Sequence, residues 1–141
     1  PEVIWNIEEG LKLSVEQITR AQAQRLAMTE RTVKFFESYD LLLSPATIVA
    51  PFPIENRYVA ECDGKTFGNY IEWVGIAYAI TLACAPALSL PCGFTASGLP
   101  VGLQIAAAPR GEAKLLAGAR VLEEILGLAS STPIDPRAPK I

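Results

Sequence analysis

The chain has 141 residues, half of them hydrophobic and only 19% charged, with a net charge of −3. That balance excludes a disordered chain, and one domain of this size buries roughly two-thirds of the surface its unfolded form exposes. No run of Lys and Arg forms a stripe able to neutralise successive phosphates, so neither nucleic acid nor an anionic membrane is an expected partner.

Residues 1–10 place Val3, Ile4, Trp5 and Ile7 among acidic residues in a pattern too short and irregular to predict an element. Ser14 with Gln17 three residues on has the form of a capping box, and the stretch to about Phe36 is rich in helix formers. Val15, Ile18, Leu26, Val33 and Phe36 give that helix an apolar stripe, which predicts one packed and one wet face. Asp40 to Ser44 is a short apolar run stopped by Pro45, the pattern of a buried strand that delivers a loop. The loop, Pro45 to about Lys65, carries Pro45, Pro51 and Pro53 without periodicity, and a loop of that length in a domain is commonly functional.

Phe67 to about Cys84 is apolar nearly all round, which predicts a helix enclosed by protein and ended by Pro86. The most apolar stretch, Ile76 to Leu90, is interrupted by Thr81, Pro86 and Ser89 and falls short of the ~20 residues of a membrane span. Ala87 to Phe94 and Val101 to Ala107 read as strands, joined by turn chemistry at Ala96 to Pro100 into an antiparallel hairpin. Gly111 to Leu126 predicts a second amphipathic helix, with Leu115, Leu116, Ala119, Leu122 and Ile125 on its packed face and Gly127 as C-cap. Residues 128–141 are dense in proline and predict an extended tail. The chain opens on Pro1 with no secretory pattern, so it is expected to be a piece of something longer and to reside in the cytoplasm.

Chemistry is limited first by what is missing. There is no histidine, which removes the His-dependent Ser and Cys triads and imidazole zinc sites. No Ser is followed three residues on by Lys, and the five lysines sit in polar surroundings. The carboxylate pairs Glu8–Glu9 and Glu123–Glu124 are adjacent in helical sequence and diverge by about 100°, so they read as surface charge. Cys62, Cys84 and Cys92 lack CxxC spacing and read as reduced core thiols; Cys92, set among Leu90, Pro91, Gly93 and Phe94, has no basic neighbour in sequence to activate it. No glycine pattern cradles a phosphate, and no cofactor is expected. Tyr70 and Trp73 stand at i and i+3, on one helix face, where they either pack in the core or line an acyl or aryl pocket.

The stretch from Pro86 to Ile105, PALSLPCGFTASGLPVGLQI, is similar in order and spacing to a hairpin near the C-terminus of amidase-signature enzymes. The segments DLLLSPAT at Asp40 to Thr47, NYIEW at Asn69 to Trp73 and AYAIT at Ala77 to Thr81 resemble the strand and helix before it. The resemblance covers nearly all of residues 1–141 and implies α/β architecture, the C-terminal part of an α/β/α fold with a mixed sheet and long helices. Relatives act on carboxamides with a nucleophilic serine, a bridging serine and a lysine, the serines in a Gly- and Ser-rich loop. Nothing here matches that loop: there is no Gly-Gly, and the only Ser-Ser pair is Ser130–Ser131. No catalytic residue is therefore assigned.

What the resemblance implies instead is a supporting role. The segment would supply sheet structure and part of the pocket for a small-molecule amide, with Tyr70, Trp73 and Tyr78 as substrate-binding candidates. Many relatives carry glycine or another small residue where Cys84 and Ala85 stand, and the segment from Ala107 to Gly111 also departs from the family's commoner turn. The chain alone is expected to be inactive and to self-associate through an uncovered apolar face or strand edge. The competing expectation is a binding or assembly module that kept the fold and lost the chemistry, with the Pro45–Lys65 loop as its contact surface.

Overall fold

The computed structural model describes residues 2–128; Pro1 and the expected tail, apart from Leu128, lie outside them. Helix α1, Glu2–Leu11, occupies the segment expected to be irregular. Val3, Ile7 and Leu11 recur at i, i+4 and i+8, so four-residue spacing within a short acidic stretch was the overlooked signal. Helix α2, Val15–Phe35, starts where the capping box places it: the Ser14 hydroxyl accepts the Gln17 N–H, and the Gln17 side chain accepts the Ser14 N–H. Its expected packed stripe is not packed. No α2 residue is buried, and Val15 is 80% exposed.

Strand β1, Leu42–Pro45, reaches one residue further than expected, since at a sheet edge Pro45 needs no ladder donor. The proline-rich loop that follows closes on a small hairpin of β2, Glu61–Cys62, and β3, Lys65–Thr66. The expected single helix over 67–84 is split into α3, Tyr70–Trp73, and α4, Gly75–Leu82. Asn69 caps α3 by accepting the Ile71 and Glu72 N–H groups. The break falls at Val74 and Gly75, a β-branched residue followed by the residue that loses most entropy in a helix. Nor is the pair enclosed, because neither helix holds a buried residue.

Helix α4 ends in a Schellman turn: Ala85 donates to the Ile80 carbonyl and Cys84 to that of Thr81. Cys84 occupies the left-handed position of the turn at φ 57°, a conformation in which glycine pays no Cβ penalty. Strands β4, Ala87–Phe94, and β5, Pro100–Ala106, form the expected antiparallel hairpin, with a bulge between Pro91 and Gly93. Strand β1 adds to the other side of β5, giving the order β1-β5-β4 with both pairings antiparallel. The mixed sheet implied by the resemblance is thus not formed by these strands alone. Helix α5, Glu112–Leu126, lies on the sheet and ends at Gly127, which has φ 65°.

The core sits between α5 and the sheet, where Leu90, Ile105, Ala107, Leu115 and Ala119 are buried and Leu41, Leu88 and Leu103 pack around them. Of the face expected to pack, Leu115, Ala119 and Leu122 do so, but Leu116 and Ile125 stay 64% and 74% exposed. At the start of α5, Lys114 reaches Asp40 at 2.7 Å and, by hydrogen bond first and charge second, holds the Asp40 carboxyl below its ordinary value. The expected core thiols are corrected as well: Cys62 and Cys92 are half-buried and Cys84 is exposed, all three free.

An L-residue in the left-handed region costs roughly 1–2 kcal/mol relative to glycine. Cys84→Gly is therefore expected to raise the stability of the chain by about 1 kcal/mol, read as a higher urea midpoint at unchanged m-value. An unchanged or lower midpoint would show that the Cys84 side chain contributes more than its backbone strain costs.

Candidate binding cleft

A cleft of about 620 Å³ lies against the sheet. One wall is the chain leaving β1, from Pro45 to Phe52; the floor is the hairpin at Ser89, Pro91 and Gly102; the end is closed by Trp73. Gly102 makes the floor thin. A Cβ there would stand 2.7 Å from Ser89 Oγ and 3.1 Å from Ala46 Cβ, so any larger residue would push into the wall.

The three expected substrate-binding residues separate. Trp73 lines the cleft. Tyr70 meets Trp73 edge-on, with ring centroids 6.0 Å apart, but lines a neighbouring hollow with Trp5, Arg57 and Tyr58. Tyr78 lines none of the hollows described; its hydroxyl stands 3.6 Å from the Cβ position of Gly75. Phe52 stands edge-on to Trp73 at 5.7 Å, and Tyr58 meets Tyr70 at 6.4 Å, so an aromatic series links the loop to α3. Phe52 and Tyr58 were legible only as the two aromatics of a loop expected to be functional.

The polar complement of the cleft is small. Thr47 Oγ1 donates to the Val49 carbonyl. The Trp73 indole nitrogen is closed off from water and has no hydrogen-bond partner among the described residues. No residue lining the cleft carries an ionisable side chain. Behind it, Gln104 donates to Ser44 Oγ at 3.0 Å and to the Ile76 carbonyl at 3.3 Å, tying α4 to β1 and β5.

No serine–lysine pairing accompanies the cleft. Lys114 is held by Asp40, Lys12 by Glu9, and Lys65 stands over the Phe67 ring. Among the described residues no cluster of His, Cys, Asp and Glu has a metal-binding arrangement, and no helix is long and apolar enough to cross a membrane.

The comparisons decide the family. The Amidase family profile matches residues 1–116. An acylamidase of Rhodococcus erythropolis is 33% identical over 130 residues, covering 92% of this chain and 27% of that protein. The chain belongs to the amidase signature family. A glutamyl-tRNA(Gln) amidotransferase subunit from Alkaliphilus metalliredigens is 38% identical over 103 residues, covering 71% of the chain and 19% of its own length. Among solved structures, an amidase superposes with TM-score 0.79 at 30% identity, over 90% of this chain and 29% of that one. A bacterial aryl acylamidase superposes with TM-score 0.77 at 21% identity, over 95% and 29%, which speaks for the fold alone. The amidase-signature chain thus spans 19% to 29% of the length of these relatives.

One contact escaped sequence reasoning altogether. The Arg25 guanidinium lies 3.6 Å from Cys84 Sγ, across 59 positions of sequence. Its hydrogen bond is the largest influence and lowers the thiol below its ordinary value; desolvation opposes it, and the Arg25 charge and a hydrogen bond with Thr29 add smaller lowering influences. Cys84 therefore ionises at a lower pH than an isolated thiol. Alkylation by iodoacetamide, followed by mass spectrometry across pH, is expected to modify Cys84 ahead of Cys62 and Cys92. Arg25→Gln is expected to move the Cys84 rate profile to higher pH, and an unmoved profile would rule Arg25 out as the cause.

Proposed function

We propose that this chain is the C-terminal portion of an amide hydrolase that acts through a serine acyl-enzyme, contributing sheet structure and one wall of the substrate pocket. The observation that carries the reading is the uncharged cleft between the Pro45–Phe52 wall and Trp73, in a chain of this family that offers no histidine. An acyl-enzyme needs a nucleophile, a group to take its proton and donors for the oxyanion, and in relatives a serine pair and a lysine supply the first two. Those groups are assigned to residues beyond this chain. Hydrolysis is supported by the acylamidase match, 33% identical over 92% of the chain, and amide transfer by amidotransferase-subunit matches of 31–40% identity over 63–81%.

Tyr70, Trp73 and Tyr78 have different parts in this reading. Trp73 touches the substrate; Tyr70 holds the indole edge-on from behind; Tyr78, packed against Gly75, supports the start of α4. The isolated chain is expected to hydrolyse neither acetamide nor acetanilide above the buffer rate, and turnover that survives repeated purification would refute the division of labour. If the coding sequence upstream holds no Gly- and Ser-rich loop with a preceding lysine, the binding or assembly module becomes the better reading.

The surface supports a covered state for the chain. At 15.1 kDa a compact monomer exposes about 7,100 Å². This chain exposes 10784 Å², and a generous allowance of about 2,200 Å² for the residues left undescribed still leaves roughly 1,500 Å² in excess. Val3, Ile7 and Leu11 on one side of α1 are part of it, at 74%, 58% and 83% exposure. Sedimentation velocity at micromolar concentration is accordingly expected to show self-association, accompanied by binding of an apolar dye. A compact monomer that binds no dye would remove the inference.

A further inference from the structure

The cleft also bears on which amides are accepted, an inference that rests on its being part of the substrate pocket. We propose that it selects uncharged amides bearing an aryl or branched alkyl group, and that the Trp73 indole N–H supplies a hydrogen bond to an acceptor oxygen on that substrate.

Two independent features lead there. The first is the lining: Pro45, Val49, Phe52, Pro91 and Val101 present hydrocarbon and ring surface, and no ionisable side chain faces the space. A carboxylate or ammonium placed there would leave water without a counter-charge, a loss that apolar contact does not return. A planar or branched apolar group loses nothing comparable, and the Phe52 and Trp73 rings, 5.7 Å apart and steeply inclined at 76°, offer an aromatic guest both an edge and a face.

The second feature is the indole. Trp73 Nε1 is shut off from water and lacks an acceptor among the described residues, an unfavourable state for a buried donor. Its neighbour Phe52 sits in a loop between Pro51 and Pro53, outside any helix or strand. Phe52 and Trp73 both line the cleft, so a guest there lies against the indole, and a carbonyl or ether oxygen that reaches Nε1 relieves the unmet hydrogen bond. A neutral guest with one acceptor gains on both counts, whereas a charged guest gains on one and loses more on the other.

Binding can be followed without turnover, which keeps this test apart from the hydrolytic reading. In the full chain carrying Trp5→Phe, the remaining indole N–H signal in a ¹H–¹⁵N spectrum belongs to Trp73. Acetanilide is expected to move it saturably, while the para-carboxylate and para-aminomethyl derivatives bind at least about tenfold more weakly, a difference of 1.4 kcal/mol. Val101→Lys, which adds a cation at an exposed position on the rim, is expected to bring the carboxylate to at least the affinity of acetanilide. A signal that stays still with acetanilide, or moves equally with all three amides, overturns the proposal. So does a Val101→Lys chain that still excludes the carboxylate. Hydrolysis by the longer protein would stand in any of these cases, and its absence would leave the binding preference unaltered.

Discussion

Ile105 has no contact with water, and its strand is the one element the rest cannot do without. Strand β5 lies between β1 and β4, so both neighbours take their register from it. Its side chains alternate between two tasks, as the period of a strand requires. Leu103, Ile105 and Ala107, just past its end, face the core with Leu115 and Ala119 of α5. Gly102 and Gln104 face the other way: the first floors the cleft and the second reaches Ser44 and Ile76. A one-residue slip of β5 would exchange the two sets, placing Gln104 in an apolar core and Ile105 where α4 is tied down. Core stability and cleft geometry are therefore fixed by the same register.

Gln104 carries that register outward. Its amide reaches a strand and a helix at once, and α4 follows α3 through Val74 alone, so the position of Trp73 depends on where the sheet holds Ile76. The other end of α4 is set by the Schellman turn at Cys84, from which the chain passes directly into β4. Both ends of the helix are thereby referred to one hairpin. Arg25 adds a contact from α2 at the exposed turn.

How much of this was legible depended on how local each cause was. The α2 start needed only Ser14 and Gln17, the α5 end only Gly127, and the hairpin only two apolar runs and the turn between them, so all three emerged from sequence. The same reading joined α3 and α4, because apolar periodicity weighs side chains and not the weakness of Val74–Gly75 as a helical step. Burial was least legible. Val15, Leu26 and Leu116 are apolar at helical spacing, yet exposed, because what covers a face is decided by chain elsewhere. At the cleft, Trp73 was visible as an aromatic of an apolar helix, while Ser89, Gly102 and Phe52 were not: their part arises from a hairpin meeting a loop, which no spacing encodes. The Arg25–Cys84 contact spans 59 residues and left no local trace.

A wall without ionisable side chains is physically coherent for an enzyme segment. Binding energy from parts of a substrate remote from the reacting bond can be used to orient that bond, provided the surface that supplies it does not compete for the charges of the reaction. A lysine or carboxylate on this wall would draw water into the cleft and perturb any nucleophile placed opposite. An apolar wall leaves the field to the catalytic groups and lowers the local dielectric in which oxyanion donors act. The chain satisfies that condition twice: Lys114 and Lys12 are paired with carboxylates away from the cleft, and the polar atom left unmet at its end is a neutral indole N–H. On the proposed reading, its contribution to an amide hydrolase is the placement of a substrate, with bond-breaking left to residues it does not contain.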